Sequence, residues 1–486
     1  MTNFKTGGPW VTRFAPSPTG TPHLGNVRTA VLNYLLARQS GGSFHLRLED
    51  TDRERSAFTH EASILQSLAW LGLAPDSPTR RQSLRLDLYR KAVLRLVEAG
   101  RAYPCFCSEN DLERQRAEAA ASNLPPRYSG PCAGLSPEEA QARIDAGEPH
   151  VMRFRMSGHD DVDFRDLIKG DIRVPSGAFG DFVLLRSDGW PSYNLAVVVD
   201  DADMGVNLVL RGEDHLTNTA RQLLLYYALK LTPPCFAHHG LLVDPEGKKL
   251  SKRTGALSVP DCIRAGLEPM AVVHYLGAMS GAVSLKKLFT SPEDMAQAFN
   301  PFALGRGNAV MNMEELRGLS ARYFRAADPE AQVRALDEAI PEDDPWHGLD
   351  HVLRHDLVTG LRGNAVCLDE LRRMLPDFTA RDVRYDRQAL ESLHSASDVL
   401  ESLLASLEDF APGTRLGPET ANAVLKKTSE QTGARGRALY HPIRQALTGS
   451  DFGPELSALL TLLNVDTLQT RIRAALDIFP PSKHKD

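Results

Sequence analysis

The stretch 10–52, WVTRFAPSPTGTPHLGNVRTAVLNYLLARQSGGSFHLRLEDTD, decides the fold. It opens with a short strand candidate, Trp10 to Phe14, and runs into a loop rich in proline and glycine, APSPTGTPH. From Val27 the apolar spacing turns helical, because Val27, Val31, Tyr34 and Leu35 share one face. Gly41 and Gly42 are natural helix-ending residues, since glycine takes the left-handed turn without Cβ strain. Phe44, Leu46 and Leu48 then alternate with His45, Arg47 and Glu49, the period of a strand. A second helix is expected from about Thr59 to Leu71, with Ile64, Leu65 and Leu68 inward. Strand, helix, strand, helix predicts a parallel sheet in an α/β fold.

The rest of the chain sets the frame. Its 486 residues exceed one hydrophobic core; at about 150 residues per domain they suggest roughly three domains. With 42% hydrophobic and 24% charged residues it reads as a soluble globular protein, not a disordered, collagenous or coiled-coil one. No apolar run is long enough for a transmembrane helix, so no membrane association is expected. The start, MTNFKTGGPW, lacks the apolar core of a secretory signal, and a cytoplasmic monomer is expected. Fifty-six Lys and Arg against 62 Asp and Glu give a net charge of −6. That excludes a uniformly basic coat but leaves room for a local basic face. Six cysteines are too few for a disulfide framework and fit a reducing compartment. Cys235, Cys262 and Cys367 stand alone and read as small buried side chains.

The strand–helix pattern breaks at about Ala102, and the segment to about Asp188 reads as an insertion holding Cys105, Cys107 and Cys132. Alternation resumes with Tyr193 to Val199, then Val206 to Leu210, then a helix carrying Leu223, Leu224, Tyr227 and Leu229. A glycine- and lysine-rich loop, PEGKKLSKRTG, follows, and from about Leu316 the chain is overwhelmingly helical.

Ligands of open parallel sheets bind outside the carboxyl ends of the strands. There strand one delivers Arg13, Ala15 and Ser17, and strand two delivers Glu49, Asp50 and Asp52. The strand ending at Leu210 delivers Arg211, Glu213 and Asp214. Single loop charges are ordinarily just solvated. Two arginines and an acid converging on one crevice suit a zwitterion with an extra carboxylate. His23, Gly25 and Asn26 lead into a helix whose start offers free N–H groups and a positive dipole to phosphate. Lys249, Ser251, Lys252 and Arg253 form a loop able to close over a triphosphate. No Walker A motif is present, and His60-Glu61 lacks a second histidine at the zincin spacing.

Six motifs in order carry a resemblance: RFAPSPTG at 13–20, HLGN at 23–26, LRLEDTD at 46–52, YNLAVVVDD at 193–201, LRGEDH at 210–215 and KLSKR at 249–253. Together they resemble bacterial-type glutamyl-tRNA synthetase, a class I aminoacyl-tRNA synthetase. HLGN stands where that class has HIGH, and KLSKR where it has KMSKS. Asn26 departs from the last His of HIGH, and Leu250 replaces Met at similar volume. The segment 436–463 resembles the family's anticodon-binding domain. The resemblance implies a Rossmann-type catalytic domain with an inserted α/β domain, followed by all-α C-terminal domains. Expected bounds are 1–101 and 189–255 for the catalytic halves, 102–188 for the inserted acceptor-binding domain, 256–335 for a stem-contact domain and 336–486 for helical anticodon-binding domains.

The activity it implies uses ATP and Mg2+ to turn L-glutamate into glutamyl-adenylate, then moves the glutamyl group to the terminal adenosine of the glutamate tRNA. Carried over residue by residue, Arg13 and Tyr193 hold the side-chain carboxylate, Arg211 the α-carboxylate, and Ala15, Ser17 and Glu49 the α-amino group. His23, Lys249 and Lys252 are the expected catalytic residues, with Gly25, Asn26 and Ser251 joining them around ATP. Asp52 and Arg55 are expected to meet tRNA, as are Lys426, Lys427, Arg435, Arg437 and Arg444 in the helical tail. Two alternatives stand beside this one. A relaxed enzyme would also charge the glutamine tRNA, and a paralogue that only binds RNA would have lost the chemistry.

The clustered cysteines have two readings. Some members of the family carry a zinc ligand two places after the third cysteine, where this chain has Gly134, and a related family uses a tyrosine, here Tyr128. Cys105, Cys107, Cys132 and Tyr128 or water therefore make one candidate zinc set. The other reading is a degenerate site packed without metal, favoured because tyrosine is a poor zinc ligand.

Overall fold

The computed structural model describes residues 8–52, 58–122, 127–156, 161–250, 257–279, 281–380, 383–385, 387–451 and 453–478. Two compact units emerge: residues 1–265 with 269–316, and residues 266–268 with 317–486. Among the described residues no helix is long and apolar enough to cross a membrane.

The strands of the first unit are β1 (Val11–Phe14), β2 (Ser43–Leu48), β3 (Arg80–Arg81), β4 (Ala102–Cys105), β5 (Val151–Phe154), β6 (Val162–Asp166), β7 (Gly170–Val174), β8 (Val183–Leu185), β9 (Leu208–Gly212), β10 (Cys235–His239), β11 (Leu242–Val243) and β12 (Ala309–Val310). β1, β2 and β3 pair in parallel, and a second sheet has the order β7-β6-β10-β9. In it β6, β10 and β9 are parallel, with β7 folded back antiparallel on β6. Asn207 joins the two sheets: its side-chain oxygen accepts from Val11 N–H at 2.7 Å, and its own N–H donates to the Val11 carbonyl at 3.2 Å. β1 therefore lies beside β9, and the carboxyl ends of β1, β2, β9 and β10 share one edge.

The crossover between β1 and β2 is the helix Leu24–Ser40, capped at its end by Gly41 at φ 67°. Val27, Val31, Tyr34 and Leu35 are buried as expected, but so are Arg28 beside that stripe and Asn33 on the far side of the helix. The helix packs on β1, β2 and β9 and is covered by the helices Pro269–Ala278 and Pro292–Ala298. Arg28 donates to the Gly240 carbonyl at 2.8 Å, and Asn33 Nδ2 to the Leu210 carbonyl at 3.0 Å. Gly42 is required by closeness: a Cβ there would fall 2.0 Å from the Trp10 carbonyl oxygen.

Two expectations are corrected. The second helix spans Phe58–Trp70 and buries Ile64 and Leu68, but Leu65 is 37% exposed. At 100° per residue Leu65 sits a quarter turn off the stripe of Ile64 and Leu68. The run Tyr193–Val199, placed as the next element of the alternation, is the start of a helix, Tyr193–Asp203. A short apolar run does not separate a buried strand from a buried helix; here Asp200 and Asp201, at the helical spacing from Ala196 and Val197, are buried with it.

The interrupting segment forms its own antiparallel sheet, β4-β5-β8, with the helices Glu109–Ala121 and Pro137–Asp145. The second unit is helical throughout its described residues after Arg317. Its core gathers Trp346, Leu357, Leu400, Leu403, Ile443, Leu460 and Ile472. Buried Arg471 ties it together by donating to the carbonyls of Asp377, Leu447 and Ala380.

Candidate active site

A cavity of about 380 Å³ opens at the shared strand edge, within the range of small-molecule sites. Arg13, Ala15, Ser17, His23, Gly25, Asn26, Glu49, Tyr193, Arg211 and Lys249 all line it. Ser251, Lys252 and Arg55 lie outside the described residues. Asp52 is described but does not line the cavity. Sequence reasoning had not singled out Thr29, His215 and His239, which also line it.

The first wall is electrostatic. Arg13 in β1 donates from Nε and Nη2 to Asp201, at 3.1 and 3.4 Å. Arg47 reaches the same carboxylate from Nη1 at 2.5 Å and also donates to Glu49 at 3.2 Å. Burial opposes the charge of Asp201, but the two guanidinium groups outweigh it and hold the carboxyl below the usual range. For Glu49 burial wins over Arg47 and Arg13, and its pKa is raised.

The second wall is built on Arg211 of β9, 5% exposed. Its partners are all neutral: Tyr193 Oη at 3.3 Å, His238 Nε2 at 3.2 Å, Thr219 Oγ1 at 2.7 Å and Gln222 Oε1 at 2.8 Å. Tyr193 Oη is 3.2 Å from His215 Nδ1. His215 is pushed down to about 4, first by burial and then by Arg211, so it is neutral at pH 7. His239 is pushed to about 3 by burial, bonded to the Gly240 carbonyl and Thr29.

The third wall is the helix entry. His23 precedes the helix as its N-cap, and its Nδ1 accepts from Asn26 N–H at 3.3 Å. That leaves the ring proton on Nε2, the nitrogen suited to donate to a phosphate oxygen. Gly25 lies against this ring: a Cβ there would come within 3.0 Å of His23 Nδ1. Lys249 faces the cavity with Nζ 2.7 Å from Asp214. The arrangement offers cations and N–H donors for phosphate beside a pocket of matched charges for a small zwitterion.

Away from the cavity, Cys105, Cys107 and Cys132 bring their sulfurs within 4.8 Å of one another. Tyr128 Oη is 3.2 Å from Cys105 Sγ, 3.5 Å from Cys107 Sγ and 3.3 Å from Cys132 N. Burial pushes the Cys107 thiol to about 11. Cys105 is held below the usual thiol range: burial opposes this, but Tyr128 and Arg153 outweigh it. Three converging sulfurs supply three of the four donors of a tetrahedral zinc site, and the Tyr128 phenol, a poor zinc ligand, stands at the fourth position.

In the helical unit Arg435 and Arg437 are exposed and make no ion pair among the described residues. Lys426 lies 3.9 Å from Glu430 and Lys427 3.4 Å from Asp409. Arg444 is half-buried, and burial lowers its pKa.

Comparison with known proteins agrees across the chain. Residues 10–318 match the family model for the catalytic domain of class I tRNA synthetases (E and Q), and residues 320–476 match that for an anticodon binding domain. A glutamate–tRNA ligase of Heliobacterium modesticaldum is 37% identical over 96% of both chains. One of Aquifex aeolicus is 38% identical, covering 96% of this chain and 98% of its own. A crystal structure of a glutamate tRNA ligase from Elizabethkingia meningosepticum in complex with its amino acid superimposes with a TM-score of 0.84, at 26% identity, over 96% of this chain and 99% of that one.

Proposed function

Because the chain belongs to the glutamate–tRNA ligases, within the class I tRNA synthetases, we propose that its cavity takes L-glutamate against the Arg13 and Arg211 walls and ATP against the His23 wall. The glutamate α-carboxylate attacks the α-phosphorus in line, one P–O bond forms, and pyrophosphate leaves with the electron pair of the bond that breaks. Mg2+ enters with the phosphates as part of the nucleotide substrate. A ribose hydroxyl of the terminal adenosine of tRNA then attacks the acyl carbon, and AMP departs. The protein's share is positioning and charge stabilisation.

Arg13 and Tyr193 are assigned to the side-chain carboxylate, Arg211 to the α-carboxylate, and Ala15, Ser17 and Glu49 to the α-amino group. His23, Lys249 and Lys252 are assigned to the phosphates, with Gly25, Asn26 and Ser251 around the nucleotide. Glutamine is nearly isosteric with glutamate, so the choice between them rests on charge. A buried guanidinium left without its anion penalises the neutral amide. The observation that carries this reading is Arg211, a buried cation at the cavity whose near partners are all neutral.

Cys105, Cys107, Cys132 and Tyr128 are assigned to a structural zinc ion, which would clamp β4 to the turn 131–134 and take no part in the reaction. The helical tail is assigned to the anticodon end of tRNA, with Arg435 and Arg437 as its exposed cations, beside Lys426, Lys427 and Arg444.

The deciding experiment is aminoacylation of purified glutamate tRNA and glutamine tRNA, each with labelled glutamate and ATP. Charging of the first alone makes the enzyme discriminating. Charging of both makes it relaxed, with a product that needs later amidation. Charging of neither overturns the proposal in favour of an RNA-binding paralogue.

A further inference from the structure

Behind Arg211 runs a line of buried side chains from three adjacent strands. Asp166 ends β6, His238 lies in β10, and Arg211 lies in β9. The parallel register sets His238 opposite Arg211, and Phe236 opposite Asp166. Asp166 and His238 are 1% and 0% exposed, and neither lines the cavity.

The hydrogen bonds along this line have a fixed direction. A guanidinium only donates. Arg211 Nε–H reaches His238 Nε2 at 3.2 Å, so that nitrogen carries a lone pair, and the Thr219 hydroxyl, 3.0 Å from the same nitrogen, can share it. The ring proton therefore sits on Nδ1, which donates to Asp166 Oδ2 at 2.6 Å. Burial lowers the His238 pKa and keeps the ring neutral, as this tautomer needs. The other carboxylate oxygen, Oδ1, accepts from the backbone N–H groups of Ile168, Lys169 and His238 at 2.9, 2.8 and 3.2 Å. At the far end, Nη2 of Arg211 spends both protons on Thr219 and Gln222, while Nη1 gives one to Tyr193. Of the five guanidinium protons, the one left over is on Nη1, beside the cavity-lining Tyr193.

We propose that His238, held in one tautomer by Asp166, is a positioning residue for amino-acid recognition: it pins Arg211 at Nε and turns the Nη1 edge to a carboxylate of the substrate. The proposal rests on the reading that Arg211 holds a glutamate carboxylate.

Asp166→Asn tests it with almost no change of shape. Three backbone donors keep the amide oxygen at the Oδ1 position, so the new NH2 faces His238 Nδ1. The ring proton must then move to Nε2, where it opposes Arg211 Nε–H, donor against donor, and can only be taken up by Thr219 Oγ1 at 3.0 Å, so the Arg211–His238 bond is lost either way. In aminoacylation by the full chain with purified glutamate tRNA, the KM for glutamate is expected to rise about tenfold or more while the KM for ATP stays within about twofold. The ¹⁵N shifts of His238 are expected to report the change of tautomer. His238→Gln, which can donate to Asp166 and accept from Arg211, is expected to keep a low KM for glutamate, and His238→Ala to raise it. These two variants decide the matter if Asp166→Asn does not fold. An unchanged KM for glutamate in folded Asp166→Asn overturns the proposal. So does equal damage in the Gln and Ala variants with glutamate and ATP affected together, the mark of a purely structural role. Arg211→Gln separates the two levels. If it leaves the KM for glutamate unchanged, the carboxylate reading fails. If it raises that KM and Asp166→Asn does not, only the positioning role fails.

Discussion

Arg13 turns its Nε and Nη2 edge to the Asp201 carboxylate, and both side chains are buried. The pair orients a cation that would otherwise be mobile, and leaves its Nη1 end for a substrate carboxylate. Asp201→Asn leaves Arg13 and Arg47 as neighbouring buried cations with one counter-charge fewer. We expect a loss of about 3–5 kcal/mol in stability, read by urea unfolding at pH 7, and a higher KM for glutamate. The pH dependence carries its own signature. The folded carboxyl titrates below its unfolded range, so its contribution is present above the unfolded pKa and is lost as pH falls through the folded one. The Asn variant should be less acid-sensitive than the parent in that window.

Glu49 behaves in the opposite way. Burial raises its pKa, so it begins to take up a proton at a higher pH than an ordinary glutamate at about 4.3. If it holds the substrate ammonium, the KM for glutamate rises as pH falls through that raised pKa, and Glu49→Gln removes the rise while raising KM throughout. Above the raised pKa the charge opposes folding, so the Gln variant should not lower Tm at neutral pH. An unchanged pH profile in Glu49→Gln would remove the assignment.

Much of this was legible in the chain. The β1 loop, the His23 helix entry and the end of β2 announced themselves because polar residues followed apolar strands at the edge where a parallel sheet binds ligands. What stayed hidden is what acts through space. Asp201 stood in the sequence only as the last residue of the YNLAVVVDD motif, yet its place on a buried helix makes it the counter-ion of Arg13. His238 lies in a short strand with no motif around it, and only the register with β9 sets it against Arg211. Tyr128 could be named as a partner of the cysteines, but whether three sulfurs converge depends on how β4 and the turn 131–134 pack.

His23 and Gly25 form a coupled pair. Removing the imidazole in His23→Ala takes away one preorganised donor, and kcat should fall about 10²–10³-fold. Gly25→Ala places a Cβ within 3.0 Å of the His23 ring and should lower kcat without touching any charge. The double variant should be little worse than His23→Ala alone, because both changes act on the same ring. Steady-state kinetics at saturating glutamate and tRNA measure all three.

The cysteine cluster predicts a metal content. Protein purified without chelator should carry about one zinc per chain by elemental analysis, with three sulfurs as donors and Tyr128 or water completing the four. Cys132→Ser should lose the metal and lower Tm, with the KM for glutamate unchanged because the cluster is outside the cavity. Protein free of zinc with the parent's Tm would return the cluster to a packed, hydrogen-bonded group of thiols.

The last prediction concerns which tail cations meet RNA. Lys426 and Lys427 each have an acid nearby, and Arg444 is half-buried, whereas Arg435 and Arg437 flank Gly436, exposed and with no ion pair among the described residues. A cation that already shares an acid gains less from a phosphate, and a desolvated one reaches it poorly. Arg435→Gln and Arg437→Gln should therefore raise the KM for tRNA and leave that for glutamate alone. Each lost phosphate contact should also flatten the slope of log affinity against log salt, by about 0.7–0.9. Lys426→Gln should change both quantities less. Equal effects at all positions would mean that the tail attracts RNA by its general field, and a raised KM with no change in salt slope would assign the arginines to bases instead of phosphates.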